Sequence, residues 1–368
     1  MPDLVLTRRQ LNRATLARQL LLKRARITPV QAVERLTGLQ AQLPRPPFVG
    51  LWTRLEGFRR EDLAKAVERK QIVRATLMRA TLHMVSARDF LALRGPIQPA
   101  LTRSMQSILR DRLARIDLPR IVLETREFVA ARPCTFEEIR AHLVSLHPGW
   151  DERAMGYAVR LNLPLVLVPS SGEWTWPGTS DFALAGAWLG KQLPASREDP
   201  RPVVLRYLAA FGPASITDAQ AWSGLAGLRE AFEGLRGQLR AFRDERKREL
   251  FDLPDAPRPP EDTPAPARFV PEYDNLLLAH DDRSRVVPRE HHAKIFLSTA
   301  RVAPTFLVDG HVAGTWKVEL KKRVANLTVA AWEPIPRQAR DELGLEGERL
   351  ARFVEPTAEK VAVRFEKA

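Results

Sequence analysis

The fold is indicated most clearly by the stretch Leu165-Val-Leu-Val-Pro-Ser-Ser-Gly-Glu-Trp-Thr-Trp176. Residues 165–168 and 174–176 have the composition of two strands, and residues 170–173 have that of a turn between them. Upstream of this predicted hairpin lie three helical segments: Pro119 to Ala131, a helix begun by the capping box Thr135-Phe-Glu-Glu138, and Asp151 to Asn162. Three helices followed by a β-hairpin are typical of a winged helix-turn-helix unit.

The same order of elements is predicted on both sides of this unit. The first unit has helices begun by Thr7-Arg-Arg-Gln10 and Thr28-Pro29-Val30-Gln31, a third over Glu61 to Lys70, and strands within Ile72 to Val85. The third unit has helices at Pro202 to Phe211, at Thr217 and within Leu225 to Leu235, then a hairpin from Leu239 to Leu253 with the charged tip Asp244 to Lys247. We therefore predict three tandem winged-helix units, at residues 1–95, 118–190 and 200–255.

The last hundred residues have a different character. Asp255 to Ala267 contains five prolines and is predicted to be an extended linker or a surface loop. Beyond it, strands are predicted within Phe269 to Leu278, Ala293 to Val308, Val312 to Leu320 and Arg323 to Trp332, followed by a helix near Pro336 to Leu343 and a strand at Lys360 to Phe365. The predicted fold class is α+β, with a mainly β region at residues 268–368.

The charge of the chain points to a polyanionic partner. Its 368 residues include 58 Lys+Arg and 44 Asp+Glu, which gives a net charge of +14 and a pI near 10.5. Nucleic acid is the most common partner of so basic a chain, although an arginine-rich composition also accompanies a GC-rich genome. The single cysteine, Cys134, excludes an internal disulfide and a cysteine-rich zinc site. Without a signal peptide or an apolar run of spanning length, we expect a soluble cytoplasmic protein.

Gly38-Leu-Gln-Ala-Gln-Leu-Pro44 places two glutamines one residue apart, just after the predicted Thr28 helix. The prolines at positions 44, 46 and 47 prevent that helix from continuing, so Gln40 to Gln42 should be a helix end or extended chain. In extended chain both carboxamides would point to one side, where they could hold a water molecule or bracket a sugar. The alternative is that two polar residues simply end a helix.

Signatures of other catalytic chemistry are missing from the sequence. Gly186-Ala-Trp-Leu-Gly-Lys-Gln192 lacks the spacing and the Ser/Thr of a phosphate-binding loop. His291-His292 is predicted to have a surface role rather than to bind a metal, because the two histidines are adjacent instead of four residues apart and their surroundings are basic. Asp281-Asp282 beside His280 is either a metal or catalytic cluster or, with Arg283 and Arg285 nearby, a salt-bridged turn. We therefore expect no metal and no cofactor.

Six segments together resemble the AlkZ-like DNA glycosylases, a family of tandem winged-helix proteins. They are Leu6-Thr-Arg-Arg-Gln-Leu-Asn12, Gly38-Leu-Gln-Ala-Gln42, Arg79-Ala-Thr-Leu-His-Met-Val85, Pro271-Glu-Tyr-Asp-Asn-Leu-Leu-Leu278, Asp281-Asp-Arg-Ser-Arg285 and Asp309-Gly-His-Val-Ala-Gly-Thr-Trp316. The family's catalytic signature is Gln-x-Gln, and a sister group carries Gln-x-Asp. Gln40 and Gln42 match the first form.

The resemblance implies that the three winged helices form a C-shaped, positively charged DNA channel. Gln40 and Gln42 would be catalytic, and a C-terminal β-hairpin with its tip at Lys321-Lys322-Arg323 would approach the minor groove. Arg79 and Arg283 are candidate phosphate contacts, with solvated or salt-bridged arginines as the alternative. His83 is a candidate for lining the pocket or contacting DNA, or else it is a packed core residue.

The implied reaction is hydrolysis of the N-glycosidic bond of N7-alkylated purines, including bulky adducts or interstrand crosslinks of the azinomycin type. Such a base is already cationic and leaves as a neutral molecule, so the protein needs mainly to position water and stabilise an oxocarbenium-like sugar. Carboxamides can do both. The implied partner is double-stranded DNA with alkylated bases, bound by a monomer in the bacterial nucleoid, with no membrane partner.

Two other classes of protein fit the charge. One is a winged-helix transcription regulator or a resistance protein that only binds DNA, but no long heptad segment for dimerisation is present. The other is an RNA-binding or architectural protein, which would leave the paired glutamines unexplained.

Overall fold

The computed structural model describes residues 4–172, 174–194 and 198–366. The helices in these ranges are α1 (Arg8–Arg18), α2 (Pro29–Arg35), α3 (Pro46–Trp52), α4 (Arg60–Glu68), α5 (Ala87–Leu109), α6 (Leu118–Ala131), α7 (Phe136–Leu146), α8 (Glu152–Asn162), α9 (Ala185–Leu189), α10 (Arg201–Phe211), α11 (Ile216–Ser223), α12 (Arg229–Leu235), α13 (His292–Ile295) and α14 (Arg337–Val354). None of them is long and apolar enough to span a bilayer.

The strands in the same ranges are β1 (Val5–Leu6), β2 (Leu39–Gln40), β3 (Ile72–Thr76), β4 (Leu82–Ser86), β5 (Leu165–Leu167), β6 (Phe182–Leu184), β7 (Arg240–Asp244), β8 (Glu249–Asp252), β9 (Arg268–Val270), β10 (Phe296–Leu297), β11 (Arg301–Val302), β12 (Thr305–Val308), β13 (His311–Lys321), β14 (Val324–Ala331) and β15 (Lys360–Glu366). Helices follow one another in runs such as α6 to α8, and strands do so in the run β10 to β14, so the α+β fold class predicted from the sequence is confirmed.

Helix starts follow the capping signals in the sequence. Thr7, Thr28 and Thr135 each accept a hydrogen bond from the third backbone N–H of their helix, and the side chain at that third position bonds back to the cap. Ser215 does the same for α11, which begins at Ile216, one residue before the predicted Thr217. A cap of this kind stabilises a helix by about 1 kcal/mol, so short local signals determine where these helices begin.

Two helices of the first unit were not predicted. The prolines after Gln42 end α2 as expected, but Pro46 also starts α3, because proline is favourable in a first helical turn. The helix α5 runs from Ala87 to Leu109 and therefore continues past residue 95, where the first unit was predicted to end. It contains Pro96 and Pro99 in its interior. Because proline is disfavoured inside a helix, the sequence did not predict a helix here.

The second strand of the hairpin predicted at residues 165–176 is not where it was predicted. Trp174 to Trp176 is not a strand, and β5 pairs instead with β6, through Leu165↔Leu184 and Leu167↔Phe182. Thr175 has a φ of 68°, which is incompatible with a strand. The indole of Trp176 folds under β5 and donates a hydrogen bond to the carbonyl of Leu167 at 3.3 Å. Glu173, in the predicted turn, lies outside the described residues.

The predicted wings of the first two units belong to one sheet. Its strand order is β2-β4-β3-β5-β6, and the link between the units is the pair Ala75↔Val166. One hydrophobic core extends under this sheet from Leu20 to Ala279 and includes residues of all three predicted units. The first and second units are therefore fused by strand pairing and shared packing.

The N-terminal helix is held by late parts of the chain. β1 pairs in parallel with β7. In α1, the buried Arg18 forms a two-pronged ion pair with Asp252, at 2.7 and 2.8 Å. Residues 255–267, the predicted proline-rich loop, contain no helix or strand, and their carbonyls at Pro257 and Thr263 accept hydrogen bonds from arginines of α1. These contacts fix α1 against the third unit.

The C-terminal region is a second sheet of order β15-β14-β13-β12-β9, with α14 packed against it. The helix α14 extends to Val354, eleven residues beyond its predicted end at Leu343. Trp316 is buried and its indole donates to the carbonyl of Val270 at 2.9 Å, so it is a core residue. The β13–β14 hairpin closes with Lys322 and Arg323, both at positive φ, as a type I′ turn requires.

A candidate active site around Gln40 and Gln42

Gln40 and Gln42 lie where the chain leaves the edge of the first sheet. Leu39 and Gln40 form the short strand β2, which pairs with β4 so that Gln40 is opposite His83. Pairing continues through the N–H of Ala41, which donates to the carbonyl of Leu82 at 2.7 Å. Gln42 then follows in a bend. The segment is extended chain, one of the two predicted possibilities. Gln40 is only 7% exposed, whereas Gln42 is half-buried.

Hydrogen bonds determine which way each carboxamide points. The Oε1 of Gln40 accepts from Nη2 of Arg79 at 2.7 Å, and the Oε1 of Gln42 accepts from the backbone N–H of Leu82 at 3.2 Å. Guanidinium and peptide N–H groups can only donate, so each oxygen must face its partner. The structure gives neither Nε2 a hydrogen bond to any other described residue. Each glutamine therefore keeps an NH₂ donor and one oxygen lone pair for a ligand.

Arg79 holds the buried glutamine in place. Besides Gln40, its guanidinium donates to the side-chain oxygen of Asn275 at 3.0 Å and to the carbonyl of Trp222. Asn275 in turn donates to the carbonyl of Gly38 at 3.3 Å. Burial lowers the pKa of Arg79 to about 10, and the charge of Arg283 adds to this effect. The residue predicted as a phosphate contact is thus engaged with the protein itself.

The turn that carries Arg79 is strained. Arg79 and Ala80 both have a φ of 56°, the left-handed conformation that residues other than glycine rarely adopt. Each such residue costs about 1 to 2 kcal/mol. Strain of this kind persists where surrounding contacts over-determine the backbone, and it is common at functional sites. Here it aims the Arg79 guanidinium at Gln40.

His83 is fully buried beside Gln40. Its Nδ1 lies 3.1 Å from the carbonyl of Thr81, so Nδ1 carries the proton and Nε2 is left as a bare acceptor. That Nε2 has no hydrogen-bond partner among the described residues, although it is sealed from solvent. Burial, and secondly the charge of Arg79, lower the pKa of His83 to about 3. The ring is therefore neutral at physiological pH and belongs to the wall of the site.

The buried histidine makes stability depend on pH. The folded ring stays neutral down to a pKa of about 3, while an unfolded histidine takes up a proton near pH 6.5. The unfolded chain therefore binds more protons between these values, and stability should fall as pH is lowered through this window. We expect the melting temperature to drop from pH 7 to pH 5, and to drop less in His83→Asn. An equal drop in both proteins would contradict the assignment.

Three further arginines near this region have no carboxylate partner in the described part of the chain. Arg74 donates to the carbonyls of Ala41 and Gln42, at 2.8 and 3.1 Å, and so braces the chain at the second glutamine. Arg283, a predicted phosphate contact, is half-buried over the ring of Phe296, with 4.2 Å between its guanidinium carbon and the ring centre. Arg160 is the third. Arg74, Arg160 and Asn275 were not predicted from the sequence. For Arg74, a charged residue within the apolar strand at 72–76 was a signal.

The basic hairpin tip is exposed and partly neutralised. Lys321 pairs with Glu319 at 3.0 Å, and Arg323 pairs with Glu359 at 2.8 Å. Lys322, at the apex of the turn, has no ion pair among the residues that the structure covers. The predicted DNA contacts at this tip are therefore not equivalent, and Lys322 is the cation most available to a phosphate.

The other clusters noted in the sequence are mostly structural. Asp282 caps the turn at residues 283–285 and pairs with Arg246 at 3.0 Å, which supports the interpretation of a salt-bridged turn. His291 is buried against Trp332, so the prediction of a surface position was wrong for this residue. One described group, formed by His291 with Glu290 and Glu333, has ligand atoms within 4.8 Å of one another. It makes no contact with either glutamine.

Comparison with known proteins agrees with this architecture. The fold is similar to the solved structure of the DNA glycosylase AlkZ from Streptomyces sahachiroi, with a TM-score of 0.79 and 21% identity over 99% of this chain and 100% of that one. The sequence is 27% identical over 326 residues to an interstrand DNA cross-link repair glycosylase of Streptomyces sahachiroi, covering 82% of this chain and 85% of the relative.

A family model described as DNA glycosylase AlkZ-like matches residues 33–353. The chain therefore belongs to the AlkZ-like DNA glycosylase family, and the resemblance found in the sequence is confirmed.

Proposed function

We propose that this DNA glycosylase hydrolyses the N-glycosidic bond of N7-alkylated purines in duplex DNA, including bulky adducts and interstrand crosslinks. It would act as a monomer on nucleoid DNA, without a metal or cofactor, and leave an abasic site. The observation that carries the proposal is the pair of fixed carboxamides. Their hydrogen-bond partners are a guanidinium and a peptide N–H, and no carboxyl, thiol or amine is among them. Such a site suits a base that needs no protonation to leave.

The two glutamines are not equivalent, and we assign them different roles. The Oε1 of Gln40 is bound to a cation, which weakens it as a partner for a positively charged sugar but makes its NH₂ a stronger donor. The Oε1 of Gln42 accepts only a neutral peptide N–H, so its second lone pair suits water or the oxocarbenium ion. Gln42 then positions the water, and Gln40 donates to the departing base. The sister group, whose motif is Gln-x-Asp, keeps the first glutamine and changes only the second. This agrees with different roles for the two positions.

The nucleophile is water, and the enzyme is monofunctional. A lysine that attacked the sugar would form a Schiff base and cleave the DNA backbone afterwards. No lysine contacts Gln40 or Gln42 in the described residues. The relative from Streptomyces sahachiroi is named for interstrand cross-link repair, which supports bulky N7 adducts as substrates.

The leaving-group argument gives the test of this function. Duplexes of identical sequence carrying N7-methylguanine or uracil are incubated with enzyme and then cleaved with alkali. We expect excision of N7-methylguanine and almost none of uracil, because uracil leaves as an anion and needs an acid or stronger donors than one neutral carboxamide. Borohydride should trap no covalent adduct. Comparable rates on the two bases, or a trapped adduct, would refute the mechanism. If neither duplex becomes sensitive to alkali, the protein excises no base and only binds DNA.

The hairpin tip gives a separate prediction about binding. Lys321, Lys322 and Arg323 changed together to Ala should weaken binding across sequences and reduce its salt dependence, by about one unit of slope for each phosphate that is no longer neutralised. Lys322→Ala alone should account for most of the effect, since its neighbours are paired with Glu319 and Glu359. Fluorescence anisotropy over a range of NaCl concentrations measures both quantities. Unchanged affinity at moderate salt would remove the tip from the interface.

A further inference from the structure

Arg74 and Arg160 meet beside the end of β2. Arg74 and Thr76 are two residues apart on β3, so their side chains lie on the same face of the strand. Arg160, in the last turn of α8, donates from Nε to the hydroxyl of Thr76 at 3.5 Å. The two guanidinium groups are close enough that the charge of Arg160 lowers the pKa of Arg74. Strand and helix therefore bring two cations and a hydroxyl together.

The charge of this pair is not compensated by the protein. Burial lowers the pKa of Arg74 to about 10 and also lowers the pKa of Arg160. Two other buried arginines have carboxylates, because Arg18 pairs with Asp252 and Arg54 with Asp274, whereas Arg79 is held by three uncharged oxygen acceptors. No such ion pair is formed by Arg74 or Arg160 within the described ranges. Because an unpaired buried charge is costly, a fold retains one mainly where a ligand supplies the counter-charge.

Both guanidinium groups also have unused donors. Arg74 uses Nε and Nη2 for the carbonyls of Ala41 and Gln42, and its Nη1 has no described acceptor. Both Nη atoms of Arg160 likewise lack one. None of these nitrogens is among the sealed unsatisfied atoms, so they face space that solvent or a ligand can enter. A guanidinium fork with free N–H donors suits an anion that carries several oxygens, such as a phosphate.

We propose that Arg74, Arg160 and Thr76 form a binding site for one phosphodiester of the DNA backbone. The inference rests on the proposed function, since it takes DNA as the ligand. Arg74 also holds the carbonyl of Gln42, so a phosphate bound here is tied through one side chain to the backbone of the catalytic segment. The site fixes the register of the DNA strand relative to Gln42, a function that phosphate contacts commonly have.

The experiment uses Arg160→Gln in the full chain with an undamaged duplex, so it does not depend on excision. We expect affinity at about 0.15 M NaCl to fall about tenfold and the salt slope to decrease by about one unit. Arg160→Lys, which keeps the charge but not the fork, should show an intermediate loss of affinity. The matched control is Arg236→Gln, because that guanidinium is already held by Glu233 and Glu249. Melting temperatures verify that each variant is folded.

Duplexes carrying a single neutral methylphosphonate locate the contact. One position should cost wild-type protein about tenfold in affinity and cost Arg160→Gln nothing more, because the two changes remove the same interaction. Additive losses at every position, or a loss in Arg160→Gln no larger than in Arg236→Gln, would overturn the site. Loss of the phosphate site with N7-methylguanine excision intact refutes only this inference. Absence of excision with the binding pattern preserved refutes only the proposed function.

Discussion

Replacing Gln40 and Gln42 together with Ala is expected to abolish base excision while DNA binding remains close to wild type. The carboxamides act on the sugar and the departing base in the transition state and contribute little to ground-state affinity. Loss of oriented dipoles at such a site commonly costs a hundredfold to a thousandfold each, so we expect a combined loss of more than about a thousandfold. Single-turnover excision of N7-methylguanine measures it, alongside anisotropy for binding.

Matched variants separate chemistry from folding. Gln19 is also a buried glutamine, and its side chain donates to the carbonyl of Ala210 at 2.9 Å, away from the site. Gln19→Ala should lower the melting temperature yet keep excision. Gln42→Glu should retain more activity than Gln40→Glu, because a carboxylate can still hold water at position 42 but would pair with Arg79 at position 40. Full activity of the double Ala variant would remove the catalytic assignment.

Arg79→Ala is expected to lower the rate of excision about a hundredfold through the misplacement of Gln40. Arg79 is a positioning residue, so the loss should appear in kcat, with affinity and salt slope nearly unchanged. If Arg79 instead contacted a phosphate, its loss would weaken binding and reduce the salt dependence of binding, and kcat would stay the same. Single-turnover rates at saturating enzyme, compared with anisotropy titrations, distinguish the two.

Asn275→Ala supplies the control for this assignment. It removes one of the acceptors that hold the Arg79 guanidinium and leaves the arginine itself in place. We expect the same kinetic pattern with a smaller effect. If Arg79→Ala weakens binding and leaves kcat unchanged, the positioning role is wrong and Arg79 is the phosphate contact that the sequence predicted.

The parts of the fold that the sequence predicted are those encoded locally. The capping boxes at Thr7, Thr28 and Thr135 mark helix starts because their bonds span only three residues. The second strand of the hairpin at residues 165–176 was predicted in the wrong place. Residues 174–176 have the composition of a strand, but Trp176 packs as a core side chain and donates a hydrogen bond to the carbonyl of Leu167. Strand pairing between residues far apart in sequence has no local signature, so the shared sheet was not foreseen.

The site shows the same division. Extended chain at the glutamine pair was one of the two conformations expected from the sequence. The catalytic role of the pair, which the family motif implies, stays a prediction. The contacts that support the pair were not predictable, because Arg79 meets Trp222 and Asn275 across 143 and 196 residues of sequence. The sequence left His83 either as a residue that lines the pocket or contacts DNA, or as a packed core residue. The structure shows it fully buried and paired opposite Gln40, so a contact with DNA or with the pocket stays a prediction.

On the ribosome, α1 is made long before the residues that hold it. Arg18 and its carboxylate partner Asp252 are separated by 234 residues. At a synthesis rate of about 5 to 20 residues per second, Asp252 is therefore made roughly 10 to 50 s after Arg18. Until then the apolar side chains of Leu11 and Leu16, buried in the finished protein, have no complete core to enter. Nascent chains that stop before Asp252 should therefore aggregate or be degraded rather than persist as partly active fragments.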